Sequence, residues 1–403
     1  MESLERLVQD HRQGFSLAQD FYRAAPVYQA ELGRFLSRHW VAVGHVSEIP
    51  GRGDFLVFDG LDASVIVVRA ADGSIQALHN VCRHRGARLC EESEGHLSLI
   101  TCRYHGWSYR LNGELAAWRH MPDGLDKGDY ALRHCAVSVF EGIILISLDP
   151  VGAPDPAALM RHVGPYWSRF ELASCRVASK RTWQLTANWK LAIENSLECY
   201  HCLTAHPEYS AANAFVKSDE RVSGDDASKF AAYHAAWTAS LAGTIPLGKS
   251  EVVEIGGQPV RAGTFPLAPG RMTGSQDGKP LAPLLGKVAA YDESVTTGCI
   301  GFLSYVVAMC DHALLVTFVP QASDATLVVM KWLVREDAHE GVDYDEGKLR
   351  WLWETTTEQD KGLIELNAAG VATRGYVPGP YSKLEGMAED FVRRYLKLMA
   401  AGE

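Results

Sequence analysis

Apolar positions recur along the chain in two different periods, and the changes of period divide it. Over residues 16–40, Phe21, Val27, Tyr28, Leu32 and Phe35 fall at roughly helical spacing and predict a helix. From Trp40 the pattern shortens. Phe55-Leu56-Val57-Phe58 and Val65-Ile66-Val67-Val68 are compact runs of strand-forming residues. Asp72-Gly73-Ser74 and Asn112-Gly113 mark tight turns, the second a strong hairpin signal. Residues 136–148 predict another strand pair, so 40–150 reads as a small all-β domain. Residues 1–39 are expected to be a helical segment packed on the second domain, residues 156–403. The stretch from Pro150 to Pro156 reads as a linker, and 156–403 as the second domain.

In that second part, 176–186 predicts a strand and 188–206 a helix. Residues 240–295 are rich in Gly and Pro and weakly patterned, as functional lids or disordered segments are. Strands are expected near 297–308, 312–320 and 325–334, and helices over about 342–369 and 383–400. Strands packed on long helices make the fold class α+β. No internal repeat interrupts the pattern.

Composition narrows the picture only in part. Of 403 residues, 47% are hydrophobic and 22% charged, values of a globular chain with a sizeable core. A net charge of −10 argues against nucleic acid or an anionic membrane surface as partner and is compatible with a cationic substrate. No apolar run approaches the roughly 20 residues of a membrane span. Met1-Glu2-Ser3-Leu4-Glu5-Arg6 carries no apolar signal region, and nine Cys is an odd number without disulfide-scaffold spacing, so a reducing cytoplasm is the expected compartment.

The chemistry is concentrated in two places. Cys82-Arg83-His84 and Cys102-Arg103-Tyr104-His105 supply two thiols and two imidazoles from two short loops. A Rieske [2Fe–2S] cluster needs that set, because two His replace two Cys on one iron. Two Cys and two His also suit tetrahedral zinc, but zinc patterns usually pair Cys with Cys and His with His. Here each loop carries one of each, which favours the cluster. Gly86 and Gly106 allow tight backbone beside it, Trp107 can wall it from water, and Cys90 reads as an ordinary buried residue.

The second place is Asn188-Trp189-Lys190, Glu194-Asn195, Glu198, His201 and His206-Pro207. Two His and a carboxylate with open positions form the iron-binding face of a non-haem Fe(II) oxygenase. His201 and His206 would stand about 140° apart on a regular helix, too far for one metal, so the helix must end or widen between them. Pro207 agrees, since it biases His206 away from helical angles. Glu198 shares a helix face with His201 and can fix its tautomer. Glu194, one turn earlier, either extends that network or faces solvent. The third ligand must come from elsewhere. Glu354, Glu358, Asp360 and Glu365 lie in one predicted helix, and spacing does not choose among them.

The two motifs in this order resemble the α-subunit family of Rieske non-haem iron oxygenases. The similarity runs through residues 34–55, H-N-V-C-R-H-R-G-A-R-L (79–89), C-R-Y-H-G-W-S-Y (102–109) and N-W-K-L-A-I-E-N-S-L-E-C-Y-H-C-L-T-A-H-P-E (188–208). It implies a small all-β Rieske domain followed by a helix-grip catalytic domain. It implies Cys82, His84, Cys102 and His105 on the cluster, and His201 and His206 on a mononuclear iron. The E-Q-D segment is similar to the family's third-ligand segment and points to Asp360. Glu198 falls where the family places an acid that links a cluster His of one subunit to an iron His of the next in a head-to-tail homotrimer. Many aromatic-ring dihydroxylases carry Asp there. Glu is similar to the branch that oxidises quaternary and N-methylated amines such as glycine betaine, stachydrine, carnitine and choline.

The implied reaction is an O₂-dependent oxidative N-demethylation. Electrons would pass from the cluster through His105, Glu198 and His201 of the neighbouring subunit, and the hydroxylated methyl would leave as formaldehyde. With no nucleotide-binding glycine motif and no all-Cys cluster spacing, a separate flavin and iron–sulfur reductase is expected as partner. A quaternary ammonium would be held by aromatic faces, for which Trp237, Tyr233, Tyr305, Phe318 and Tyr209 are in the right region. The competing expectations are a Rieske oxygenase acting on an aromatic or other neutral substrate, and a pure electron-transfer Rieske protein.

Overall fold

The computed structural model describes residues 4–217 and 223–401. Its largest element is an eight-stranded antiparallel sheet. The Cys175–Leu185 strand lies at one edge, followed in space by Ala325–Arg335, Ala313–Ala322, Ser304–Ala308, Ser294–Ile300 and Gln258–Pro266, with Gly248–Lys249 and Val253–Ile255 both pairing the last. Ala313–Ala322 is buried over its first eight residues because the sheet is covered on both faces.

On one face runs the helix Glu346–Val371, capped by the Asp345 side chain, which accepts from the Lys348 N–H at 2.8 Å. Leu349, Leu352, Trp353, Thr356, Thr357 and Ile364 form its buried stripe at three- and four-residue spacing. The shorter helix Trp189–Ser196 packs beside it. Against the other face lies the strand Val41–His45. The Ala42 N–H donates to Ser304 Oγ at 3.0 Å, and Thr317 Oγ1 donates to the Ala42 carbonyl at 2.8 Å.

Three small antiparallel sheets follow from the short strand runs. Val41–His45 pairs with Ile143–Ser147, which pairs with Ala136–Phe140. Ile75–His79, Ala63–Arg69, Asp54–Gly60 and Glu94–His96 form the second. Ile100–Thr101, Ser108–Tyr109 and Leu115–Ala117 form the third, with Gly113 supplying the left-handed φ of +86° that the Asn112-Gly113 turn requires. The two cysteine–histidine loops project from these sheets.

Four sequence expectations are revised. The helix expected over 16–40 is broken into Gln19–Arg23, Ala25–Glu31 and a wider turn at Leu32–Leu36, because Pro26 has no N–H to continue the ladder. These pieces still bury Phe21 and Phe35 against Tyr395 and Trp189. Glu31 collects Trp189 Nε1 at 2.8 Å, Tyr395 Oη at 2.7 Å and Lys190 Nζ, so its buried charge is fully paired. The helix expected over 188–206 opens between Ser196 and Cys202. The irregular stretch 240–295 contains the nine-residue strand Gln258–Pro266, hidden in sequence by Pro259, Gly263 and Pro266, while 267–293 carries no regular element. The strand expected over 297–308 is a hairpin of two, turning at Gly301 with φ +69°.

Candidate iron centres

The two cysteine–histidine loops have the same backbone. The Cys82 N–H donates to the Ala87 carbonyl and the Cys102 N–H to the Trp107 carbonyl, both at 2.8 Å. The Gly86 and Gly106 N–H groups close each loop onto the Cys82 and Cys102 carbonyls at 3.0 Å, at φ +76° and +73°. Left-handed backbone at both positions explains the two glycines. Cys82 and Cys102 are buried, and the His84 and His105 rings stand 4.6 Å apart between centroids. Trp107 stacks on His84 at 4.9 Å, an arrangement that excludes water on that side, while His105 is exposed. His84 Nδ1 is buried with no hydrogen-bond partner, an orphan that a metal would satisfy. The donor set of two thiolates and two imidazoles therefore fits a Rieske cluster. Tyr109 Oη lies 3.3 Å from Cys82 Sγ and accepts from the Arg83 N–H at 3.0 Å, which places its hydroxyl to donate to a thiolate at Cys82. Cys90 is buried outside this set.

The second group assembles where the Trp189–Ser196 helix gives out. Cys202–Ala205 forms one short turn, His206 takes φ −126° and ψ 74°, and Pro207 starts the next helix. The break that two His five residues apart demand is thus made by Pro207. A Cys199–Cys202 disulfide, which no scaffold spacing in the sequence pointed to, spans the turn that bears His201. Spacing of three residues at a turn suffices to bring the two sulfurs together. The His201, His206 and Asp360 ligand atoms lie within 4.8 Å of one another. Asp360 Oδ1 is 3.4 Å from His201 Nε2 and 3.0 Å from His206 Nε2. Burial works against protonation of His201, but the hydrogen bonds to Asp360 and Glu198 outweigh it and raise its pKa to about 9. Burial opposes ionisation of Asp360, yet the two imidazoles hold its carboxyl below the usual range. Two imidazoles and one carboxylate with open sides fit a mononuclear iron.

Of the four acids that spacing left open, the other three are engaged elsewhere. Glu354 pairs with Arg181 and Arg350, Glu358 accepts from Trp183 Nε1, and Glu365 accepts from the Thr186 N–H. Glu198 hydrogen-bonds His201 Nδ1 and also accepts from the Tyr200 N–H. Glu194 joins neither. Tyr22 and Tyr381 donate to its two oxygens at 2.8 and 2.7 Å.

A cavity of about 90 Å³ opens above the three ligands. Tyr209, Tyr305 and Phe318 line it as expected, whereas Trp237 and Tyr233 do not. The Trp237 indole donates to the Asp292 carbonyl, and the Tyr233 hydroxyl to the Leu267 carbonyl and Glu293, which serves to fasten the 267–293 loop. Trp353 and Met330 also line the cavity and escaped the sequence reading. Trp353 was detectable as a residue two helical turns before Asp360 on the same face.

A sheet gripped by a long helix, a two-Cys two-His loop pair and a His–His–Asp group define a two-centre iron oxygenase subunit. Residues 39–136 match the family model described as Rieske [2Fe-2S] domain, and residues 172–286 and 300–401 that of the ring hydroxylating alpha subunit catalytic domain. The chain belongs to this family of oxidoreductases, whose members carry a Rieske cluster and a mononuclear iron, use O₂, and work with a separate reductase and a small-molecule substrate. It is 36% identical to the glycine betaine monooxygenase oxygenase subunit of Pseudomonas aeruginosa, over 93% of this chain and 86% of that one. It is equally 36% identical to the protein of that name from Chromohalobacter salexigens, over 96% and 87%. A carnitine monooxygenase oxygenase subunit from Acinetobacter pittii is 29% identical over 47% of this chain and 52% of its own. In fold, the chain superposes on the crystal structure of the quaternary ammonium Rieske monooxygenase CntA with TM-score 0.74 at 18% identity, covering 99% of both chains. Naphthalene 1,2-dioxygenase from Rhodococcus gives 0.70 at 20% identity, covering 99% and 98%. Among the described residues no helix is long and apolar enough to cross a membrane.

Proposed function

We propose that this subunit oxidatively N-demethylates a small quaternary ammonium or N-methylated amine of the glycine betaine type. The observation that carries the reading is the 36% identity to glycine betaine monooxygenase oxygenase subunits over more than nine-tenths of the chain. The cavity agrees with it. Tyr209, Tyr305, Phe318 and Trp353 offer aromatic faces, and Asp360 and Glu198 place negative charge nearby. A cation without N–H groups is held by such faces, at about 0.5–2 kcal/mol per contact.

In this reading Cys82, His84, Cys102 and His105 hold the cluster, and His201, His206 and Asp360 hold the iron. When bound, the iron activates O₂ for insertion into a C–H bond next to nitrogen. Glu198 accepts the Nδ1–H of His201, leaving Nε2 free to face the metal. The aromatic walls keep the cation's methyl groups over the open side and exclude bulk water. The hydroxymethyl product loses formaldehyde.

The same proposal includes a division into residues 1–39, 40–150 and 156–403, a flavin and iron–sulfur reductase as the electron donor, and a head-to-tail homotrimer. The trimer is supported by large exposed side chains beside both residues of the electron path: Tyr104 next to His105, and Tyr200 and Leu203 near Glu198. A cytoplasmic location belongs to the same proposal.

The test is formaldehyde release. Protein with both centres loaded and the cluster reduced is given O₂ with glycine betaine, stachydrine, carnitine or a simple aromatic acid. Formaldehyde from one amine establishes the reaction and its substrate. A hydroxylated aromatic with no formaldehyde from any amine overturns it.

A further inference from the structure

The two iron-facing imidazoles are backed differently. His201 Nδ1 meets the carboxylate of Glu198. His206, almost fully buried, meets an amide: its Nδ1 lies 2.8 Å from Gln359 Oε1. The amide is itself fixed, since Gln359 Nε2 donates to Glu208 Oε2 at 2.9 Å. An ionised carboxylate only accepts, so it must face the NH₂ end of the amide. The carbonyl end then faces His206 and can only accept. The imidazole must therefore carry a proton on Nδ1, so Nε2, 3.0 Å from Asp360 Oδ1, is the nitrogen that can give its lone pair to a metal.

We propose that Gln359 is a positioning residue of the iron centre, holding His206 in the one tautomer that can bind metal, with Glu208 as the anchor that stops the amide from flipping. Gln359 directly precedes Asp360, so a single helical turn supplies the third ligand and orients the second. The arrangement is asymmetric: full charge stands behind His201 and only a dipole behind His206. The proposal rests on the iron-centre reading above, and its test separates the two.

Chelated protein that retains its Rieske cluster is titrated with Fe(II), and separately with Co(II), whose visible spectrum reports ligand geometry. The cluster's own absorbance confirms folding of each variant. Gln359→Met preserves length but removes the acceptor. It is expected to weaken metal binding at least about tenfold and to change the cobalt spectrum. Gln359→Glu combined with Glu208→Gln exchanges acid and amide, keeps an acceptor toward His206 and a donor toward position 359, and should hold affinity within a few-fold of wild type. Glu208→Leu should weaken binding by itself, yet add nothing in the Gln359→Met background, because both act through one hydrogen bond. Wild-type affinity and spectrum in Gln359→Met, or affinity as weak as that of Gln359→Met in the Gln359→Glu, Glu208→Gln double variant, overturn the proposal. A wild-type chain that binds no iron beyond the cluster overturns the iron-centre reading, and this inference with it.

Discussion

Asp360 Oδ1 lies 3.0 Å from His206 Nε2, although 154 residues of chain separate them. One residue arrives at the end of a broken helix and the other from the middle of the 26-residue helix Glu346–Val371. Removing the carboxylate should therefore empty the mononuclear site without disturbing the cluster. Asp360→Ala is expected to lose most of its non-cluster iron and at least about 100-fold in turnover, with the cluster spectrum intact. Iron per chain and product formation check this, and full iron content in the variant would pass the ligand role to another group.

Glu198 touches His201 from the side away from Asp360, and Tyr200 lies exposed beside it. Glu198→Gln keeps an acceptor for the imidazole but removes the charge. Iron should stay bound, while re-oxidation of the reduced cluster by O₂ in the presence of substrate slows about 10- to 100-fold. Stopped-flow absorbance of the cluster reads that rate. An unchanged rate would remove Glu198 from the electron path.

Tyr109 Oη lies 3.3 Å from Cys82 Sγ, and a cluster-bound thiolate can only accept, so the phenol is the donor once the cluster is in place. A hydrogen bond to a ligating sulfur withdraws charge and favours the reduced cluster. Tyr109→Phe is expected to lower the cluster's reduction potential while leaving its absorption spectrum in place. Redox titration followed by circular dichroism measures it, and an unchanged potential would show that the phenol serves packing alone.

Burial pushes the carboxyl of Glu194 up to about 7, against the hydrogen bonds from Tyr381 and Tyr22, which pull it down. Between its unfolded value near 4.5 and about 7, the folded state holds a proton that the unfolded state has released. Stability therefore falls as pH rises through that window. The loss across that window is on the order of 3 kcal/mol. Glu194→Gln should remove this dependence, so thermal unfolding at pH 5 and pH 8 compared between the two proteins gives the answer. A wild type no more pH-sensitive than the variant would mean that Glu194 is ionised throughout.

Much of the site could be read in advance because its residues are close in sequence. Both cluster loops are local: one turn each, closed by its own glycine, so spacing alone revealed them. His201 and His206 were legible for the same reason, and Pro207 announced the break between them. The aromatic walls were not. Trp237 and Tyr233 lie in a helix whose polar ends fasten the 267–293 loop, and no local signal distinguishes that role from lining a cavity. Gln258–Pro266 was missed because two prolines and a glycine obscure its alternation, which the neighbouring strand Ser294–Ile300 overrides by pairing along its length.

By itself the sequence determined the chemistry of the donors, the α+β class and the order of the elements, since these depend on residue type and short-range periodicity. Spacing left the third donor open among four acids and the resemblance pointed to one of them; the tertiary structure is what brings Asp360 beside the two imidazoles. Glu354, Glu358, Asp360 and Glu365 are equivalent along a helix. Only the packing of that helix against the sheet and the broken Trp189–Ser196 helix turns Asp360 toward two imidazoles and leaves its neighbours to an arginine, an indole and a backbone amide. A side chain's partners in three dimensions are set by the angle at which its element is held, and that angle belongs to the whole core.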